Sequence, residues 1–216
     1  MIPARMGSQR LARKNLRELA GVPIVTRAVR KCLAAGVFDE VWLNSEHEAF
    51  AEIAKEEGVK FHQRPEYLGS NQATSEQYVG EFLQTHECDY LVQVHSIAPL
   101  LQTKEIRCFV EAMTASDADV MLSCEEVLIE CALDGIPVNF CFSEKTNSQE
   151  LRPVQRISWS ITGWRRSTYL QAIESGKCAT YEGKVDFFPI NPMASHIIKT
   201  EEDLHIAEAL WPLVHS

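Results

Sequence analysis

No apolar run in the 216 residues approaches the ~18 needed to span a bilayer, and no basic stretch followed by an apolar core and a cleavage site opens the chain. A soluble cytoplasmic protein without a membrane partner is therefore expected. Positive charge is in deficit: 21 Lys and Arg against 30 Asp and Glu leave a formal net charge of −9. That sign argues against nucleic acid as a partner and means that any anionic ligand must be captured by a local basic site. No C-x-x-C pair occurs among the seven cysteines, an odd number scattered through apolar stretches, so reduced thiols are expected rather than a disulfide framework or a structural metal. Neither a Walker loop nor a G-x-G-x-x-G run is present. Ten Gly and nine Pro punctuate the chain without forming a biased tract, and there is no internal repeat. With 45% hydrophobic and 24% charged residues, one domain over 1–216 is expected, and disorder, collagen and coiled coil are excluded.

What is present is an alternation of short strands and amphipathic helices. Val25, Ala28, Val29, Cys32 and Leu33 share one helical face. A strand over Glu40–Asn44, a helix carrying Phe50, Ile53 and Ala54 that stops at Gly58, and a strand over Val59–His62 follow. Thr74-x-x-Gln77 has capping-box spacing before a helix striped by Tyr78, Val79, Phe82 and Leu83. Tyr90–Val94 reads as a strand, Thr103 as the cap of a helix burying Ile106, Phe109, Val110 and Met113, and Asp119–Cys124 as the next strand. This order predicts a three-layer α/β/α fold around a mostly parallel sheet, of Rossmann-like type. Between 137 and 164 the pattern changes: strand-like Val138–Phe142, polar residues through Glu150, then strand-like Val154–Ile161, read as an excursion from the sheet. A helix over Thr168–Ile173, a strand over Val185–Ile190, another near Ile197 and a helix opened by Thr200-x-x-Asp203 complete the series. Only Met1 and Ile2 precede Pro3 where such a sheet needs its first strand, which predicts that the natural chain starts upstream of Met1.

The chemistry concentrates in MIPARMGSQRLARKNL, where Arg5, Arg10, Arg13 and Lys14 surround Gly7 and Ser8. Gly7 would permit a turn that a side chain obstructs, and successive loop N–H groups with Arg and Lys could surround a polyphosphate. The plainer alternative is a solvated basic N-terminus.

The segment IPARMGSQRLARKN resembles the IPARxGSKxxxxKN signature of the acylneuraminate cytidylyltransferases. RPEYLGSNQATS (Arg64–Ser75) is similar to that family's RPxxLxxDxATS, LVQVHSIAPL (Leu91–Leu100) to LLQPTSPL, and KTEEDLHIAEAL (Lys199–Leu210) to DTEEDLxxAExL. The resemblance implies a nucleotide-diphospho-sugar transferase fold, a homodimer formed through the excursion, and transfer of CMP from CTP to a nonulosonic, sialic-acid-like 2-keto sugar acid with release of pyrophosphate. It puts Arg5, Gly7, Ser8, Arg10 and Lys14 in the triphosphate loop, with Arg5 and Lys14 catalytic, places Asn15, Arg64 and Ser75 against the cytidine, and Gln93 on the sugar side. Asn15 and Ser75 also have plain readings as turn and cap residues, and Arg64 as a solvated loop charge. Gln93 ends a buried strand, where parallel sheets bind ligands.

The chain departs from that pattern at several positions. Met6 and Gln9 replace a glycine and a lysine, Asn71 an aspartate, and Ser158-Trp159 an Asn-Gly of the sugar region. Ile197 and Lys199 stand where the family has two acids for Mg²⁺, an ion that requires hard oxygen ligands. His95 and His196 are further polar candidates. Mg²⁺ is thus implied by the resemblance but not by these residues. A catalytically silent nucleotide- or partner-binding relative, and a cytidylyltransferase with a Kdo-like acceptor, are the alternatives.

Overall fold

The apolar stripes bury themselves against both faces of one twisted sheet. In the computed structural model, which describes residues 1–214, the elements run β1 (Ile2–Pro3), β2 (Glu18–Leu19), β3 (Val22–Pro23), α1 (Ile24–Ala35), β4 (Trp42–Ser45), α2 (Ala49–Glu56) and β5 (Lys60–Gln63). They continue through α3 (Ser75–Thr85), β6 (Tyr90–Val94), α4 (Thr103–Ala115), β7 (Val120–Val127), β8 (Ala132–Leu133) and β9 (Ile136–Pro137). The series ends with β10 (Val154–Arg165), α5 (Arg166–Glu174), β11 (Val185–Pro189) and α6 (Glu201–Val214).

Strands β5, β4 and β1 pair in parallel, as do β7 and β11, while β10 runs antiparallel between β6 and β7. Met1 joins the two halves: its amino nitrogen donates to Val92 O at 2.8 Å, and Val94 N donates to Met1 O at 3.1 Å. The sheet order is thus β5-β4-β1-β6-β10-β7-β11, parallel except for β10. This is the expected α/β architecture, with one correction: the second strand of the 137–164 segment is an interior strand of the sheet, not part of an excursion. Trp164 on it is buried and donates from Nε1 to Thr180 O at 3.1 Å.

Alternate residues of the strands feed two cores. Val92, Val94, Leu43 and Ile2 pack with Val25, Val29, Phe50 and Phe109 on one face; Leu91, Leu122 and Trp164 pack with Val79, Phe82 and Tyr169 on the other. The Thr74 capping box forms as its spacing predicts, with Gln77 N donating to Thr74 Oγ1 at 3.3 Å and Thr74 N to Gln77 Oε1 at 2.9 Å. Leu33, expected on the buried face of α1, is 44% exposed. Gln102, not Thr103, caps α4: its N–H donates to Glu105 Oε2 at 2.9 Å, so Thr103 is already the first helical residue.

Two expected strands do not form. Val138–Phe142 has no strand partner among the described residues; Asn139 instead fastens the β8–β9 hairpin, accepting Cys131 N–H at 2.8 Å and donating to Ile129 O at 2.9 Å. Around Ile197 the chain turns from Asn191 to His196, and a single bond, Ile198 N to Ile97 O at 2.8 Å, holds it against the loop after β6. Strand β10 is irregular between Ile157 and Thr162, with Trp159 in the left-handed region (φ 59°). The Ser123 hydroxyl fills that gap, meeting Ser158 Oγ at 2.9 Å and accepting Ile161 N–H at 3.2 Å.

Candidate functional site

Four parallel strands end on one rim, where open α/β sheets bind ligands. Arg5 follows β1, Glu46 follows β4, Arg64 follows β5, and His95 and Ser96 follow β6. All of these but Glu46 border a cleft of about 280 Å³ whose lining includes Arg5, Ser8, Lys14, Asn15, Arg64 and Ser75, six of the nine residues singled out in the sequence. Arg10, Gly7 and Gln93 do not line it. The argument from Gly7 needs correction: its φ is not in the left-handed region and a Cβ there would meet nothing within 4 Å, so the loop does not require glycine at 7. The left-handed residue next to Lys14 is Arg13, with φ 49°.

Several bonds hold the basic loop over the cleft. Asn15 is buried and uses both ends of its amide, Nδ2 donating to Arg5 O at 2.9 Å and Oδ1 accepting from Ser96 Oγ at 2.8 Å. Met6 N donates to Glu46 Oε1 at 2.8 Å. Arg5 reaches across the cleft to donate from Nη1 to Ser70 O at 3.0 Å. Leu11 and Leu19 bury against Ile198, Leu204 and Ala207, and Arg17 Nη1 donates to Glu201 Oε2 at 2.8 Å, so α6 braces the loop from behind.

Arg64 is not a solvated loop charge. Its side chain is only 2% exposed, and its guanidinium donates to Asn44 Oδ1 at 3.0 Å, Ala4 O at 2.8 Å and Glu46 Oε2 at 3.0 Å while lying 4.9 Å from the centre of the Tyr78 ring. Lys14 is the opposite case. Among the described residues it has no carboxylate at ion-pair distance, and its pKa is pushed down to about 8 by burial, then by the charges of Arg10, Arg5 and Lys199. Lys14 thus feels the charge of three other cations, of which Arg5 also lines the cleft. An array of that kind is stabilised by a polyanion.

His95 is held at the floor by Ser160, which accepts its N–H at 3.0 Å, and Gln93 Nε2 donates to His95 Nε2 at 2.5 Å. Burial, then the charge of Lys14, pushes the imidazole pKa down to about 4, so the ring is neutral at physiological pH. Sequence patterning left Tyr78 in an apolar stripe and gave Glu46 no role, because nothing local marks a tyrosine that caps a guanidinium or a carboxylate that meets a loop 40 residues away.

The residues present do not fit the carboxylate metal site implied by the resemblance. Ile197 has no donor atom and packs against the core, Lys199 is a cation, and no cluster of three or more His, Cys, Asp or Glu among the described residues is placed to hold a metal. Asp203 is occupied in capping α6, accepting Lys199 N–H and Thr200 N–H at 2.8 Å each.

A strand-end cleft under a basic loop, on a nearly all-parallel sheet, defines an open α/β protein with its candidate site where such sheets bind ligands. Residues 1–150 match the cytidylyltransferase family, and the chain belongs to that family. It is 30% identical over 183 residues to the N-acylneuraminate cytidylyltransferase of Streptococcus agalactiae serotype III, a match covering 79% of this chain and 44% of that one. It is 36% identical over 107 residues to the pseudaminic acid cytidylyltransferase of Campylobacter jejuni serotype O:2, covering 47% and 46%. With N-acylneuraminate cytidylyltransferase A of Danio rerio it shares 32% over 124 residues, covering 57% and 29%. The chain thus spans less than half the length of each of these curated relatives. Among solved structures, the fold is similar to CMP:2-keto-3-deoxy-manno-octonic acid synthetase complexed with CTP (TM-score 0.72, 17% identity, 98% of this chain and 97% of that one). It is also similar to 4-diphosphocytidyl-2C-methyl-D-erythritol synthase from Anaerococcus prevotii (TM-score 0.69, 12% identity, 98% of each).

Proposed function

We propose that the cleft binds CTP and that the chain transfers CMP to a nonulosonic 2-keto sugar acid, releasing pyrophosphate. The carrying observation is the convergence of Arg5, Arg10, Lys14 and Lys199 beside the strand-end cleft in a member of the cytidylyltransferase family. In the step, the anomeric hydroxyl oxygen of the acid bonds to the α-phosphorus of CTP, the bond from that phosphorus to the α,β-bridging oxygen breaks, and the hydroxyl proton passes to solvent. Charge then accumulates on the departing pyrophosphate, and Lys14 with Arg5 offsets it without reorganisation. Ser75, at the first turn of α3, and Ser70 face the base end of the cleft, while Asn15 and Arg64 act by shaping its walls. Gln93 lies on the acceptor side behind His95. No step is routed through Mg²⁺, since Ile197 and Lys199 offer no oxygen to it; Lys199 adds a charge there instead.

The acceptor is drawn from the classes that the relatives' names print: an N-acylneuraminate, pseudaminate or 2-keto-3-deoxy-manno-octonate. We place the protein in the cytoplasm on its unpaired cysteines and its nucleotide chemistry; no helix among the described residues is long and apolar enough to cross a membrane. Because β10 is interior and Ile161 is buried, the homodimer is proposed not through the whole 137–164 stretch but on the apolar surface of the 128–142 segment, where Ile129, Leu133, Ile136, Val138 and Phe142 are all more than half exposed. Light scattering at micromolar concentration is expected to give twice the chain mass, and a Leu133→Asp, Phe142→Asp variant half of that; a monomeric natural chain contradicts the dimer. The function itself is tested by pyrophosphate release from CTP with each of the three acids. Turnover with at least one is expected, and CTP binding without turnover would instead identify a silent relative.

A further inference from the structure

Among the described residues that line the cleft, only Tyr78 and His95 carry an aromatic ring. Tyr78 comes three residues after Ser75 and so points to the same side of α3, at the end of the cleft away from the basic loop. The Arg64 guanidinium lies over its ring, 4.9 Å from the centre, and is itself fixed by its bonds to Asn44, Ala4 and Glu46. The phenol oxygen lies against the Gln93 carboxamide, whose nitrogen is held by His95. One ring is thus anchored at its face by the end of β5 and at its tip by β6. Gln93 and Arg64 are both buried, whereas Tyr78 is half-buried, and the part of the ring they leave open borders the cleft. Burial pushes the phenol pKa up, so the ring stays un-ionised at physiological pH. An aromatic plane ordered before a ligand arrives adds no ordering cost to binding. A flat π system is what such a plane takes, and every nucleobase has a π face.

We propose that Tyr78 is a nucleotide-binding residue whose ring is the stacking platform for the nucleobase, with Arg64 as the cation that fixes the ring. The proposal rests on the nucleotide reading above and adds to it the side chain that holds the base. Arg64 serves the base through the ring, because its Nη1 and Nη2 are already bonded to Asn44, Ala4 and Glu46. The hydroxyl of Tyr78 contributes orientation only, so a phenylalanine would keep the platform. Stacking tolerates any base. Tyr78 therefore supplies affinity, while the choice between bases falls to the polar groups of the 70–75 turn and to the size of the cleft.

Calorimetry with CTP, ATP and inorganic tripolyphosphate separates the ring from the phosphate site, since the last carries no base. Tyr78→Leu is expected to weaken CTP binding about tenfold, within the range for loss of one base stack, and to leave tripolyphosphate affinity unchanged. Tyr78→Phe should bind both ligands like the natural chain. Equal losses for CTP and tripolyphosphate would make Tyr78 a prop of Arg64 and the loop, and so overturn the proposal. An unchanged CTP affinity in Tyr78→Leu, or a loss in Tyr78→Phe as large as in Tyr78→Leu, overturns it too. Should Tyr78→Leu not fold, NMR of the natural chain with labelled tyrosine rings decides. Cytosine H5 and H6 of bound CTP are then expected to shift upfield and to cross-relax with one tyrosine ring; absence of both overturns the stack. ATP bound as tightly as CTP, with both weakened in Tyr78→Leu, would support the stack and remove the cytidine reading alone, whereas binding of neither nucleotide overturns both.

Discussion

Arg64 donates to Glu46 Oε2 at 3.0 Å, and the other oxygen of the same carboxylate receives Met6 N–H at 2.8 Å, so one buried acid ties the strand-end guanidinium to the basic loop. The pair is 2% and 11% exposed, and a Cβ added at Gly69 would sit 2.4 Å from the Glu46 side chain. Space was kept for the carboxylate.

Removing one partner of a buried pair leaves an uncompensated charge, at a cost of about 3–5 kcal/mol. Arg64→Ala is accordingly expected to lower unfolding free energy on that scale in urea denaturation, and Gly69→Ala to destabilise as well by displacing Glu46. Undiminished stability with weakened CTP binding would show that Arg64 is a nucleotide contact, not a wall of the cleft.

Lys14 carries the pH dependence. Its pKa in the free protein lies at about 8, and phosphate beside it raises that value, so CTP binding takes up a proton above about pH 8. Apparent affinity is therefore full below pH 8 and falls as pH rises through it; calorimetry in buffers of different ionisation enthalpy reads the uptake. The sign for folding is opposite. Because the unfolded lysine keeps its proton up to the ordinary 10.5, this group makes the nucleotide-free fold more stable as pH rises from about 8 to 10.5. Lys14→Ala should abolish the proton uptake, leave only the part of the stability rise that comes from Lys31, whose pKa burial likewise pushes down to about 8, and weaken CTP binding by about 1.5–3 kcal/mol, the range for a hydrogen bond to a charged group.

Much of this was legible in the sequence wherever the signal is local. The Thr74 box, the stripes of α3 and α4 and the basic loop all depend on spacings of three or four residues, and they fall where the spacing puts them. What depends on distant partners was not. The 154–161 run shows that a strand exists, but not that it enters the sheet antiparallel between β6 and β7. The apolar 138–142 run lacks a strand partner among the described residues and so forms none, and Arg64 looks like a loop charge until Glu46 and Asn44 are brought beneath it by the parallel pairing of β4 and β5. His95 gives no local sign that its ring holds an amide two residues away.

Lys199 tests how the site handles charge without the acids expected there. A lysine offsets phosphate charge but does not organise oxygens as a coordinated ion does. Activity of the natural chain is expected to depend weakly on Mg²⁺, and the Ile197→Asp, Lys199→Asp variant to depend on it strongly. Strict Mg²⁺ dependence that is the same in both would place metal handling elsewhere in the protein.

The most direct test of the central claim is calorimetric titration of the natural chain with CTP and, separately, with ATP. Under the proposed assignment, which puts Arg5 and Lys14 against the phosphates and the Ser70–Ser75 turn against the base, the cleft is expected to bind CTP at least about tenfold more tightly, equivalent to about 1.4 kcal/mol. Equal affinity for the two nucleotides, or binding of neither, would contradict the assignment of this cleft to cytidine triphosphate.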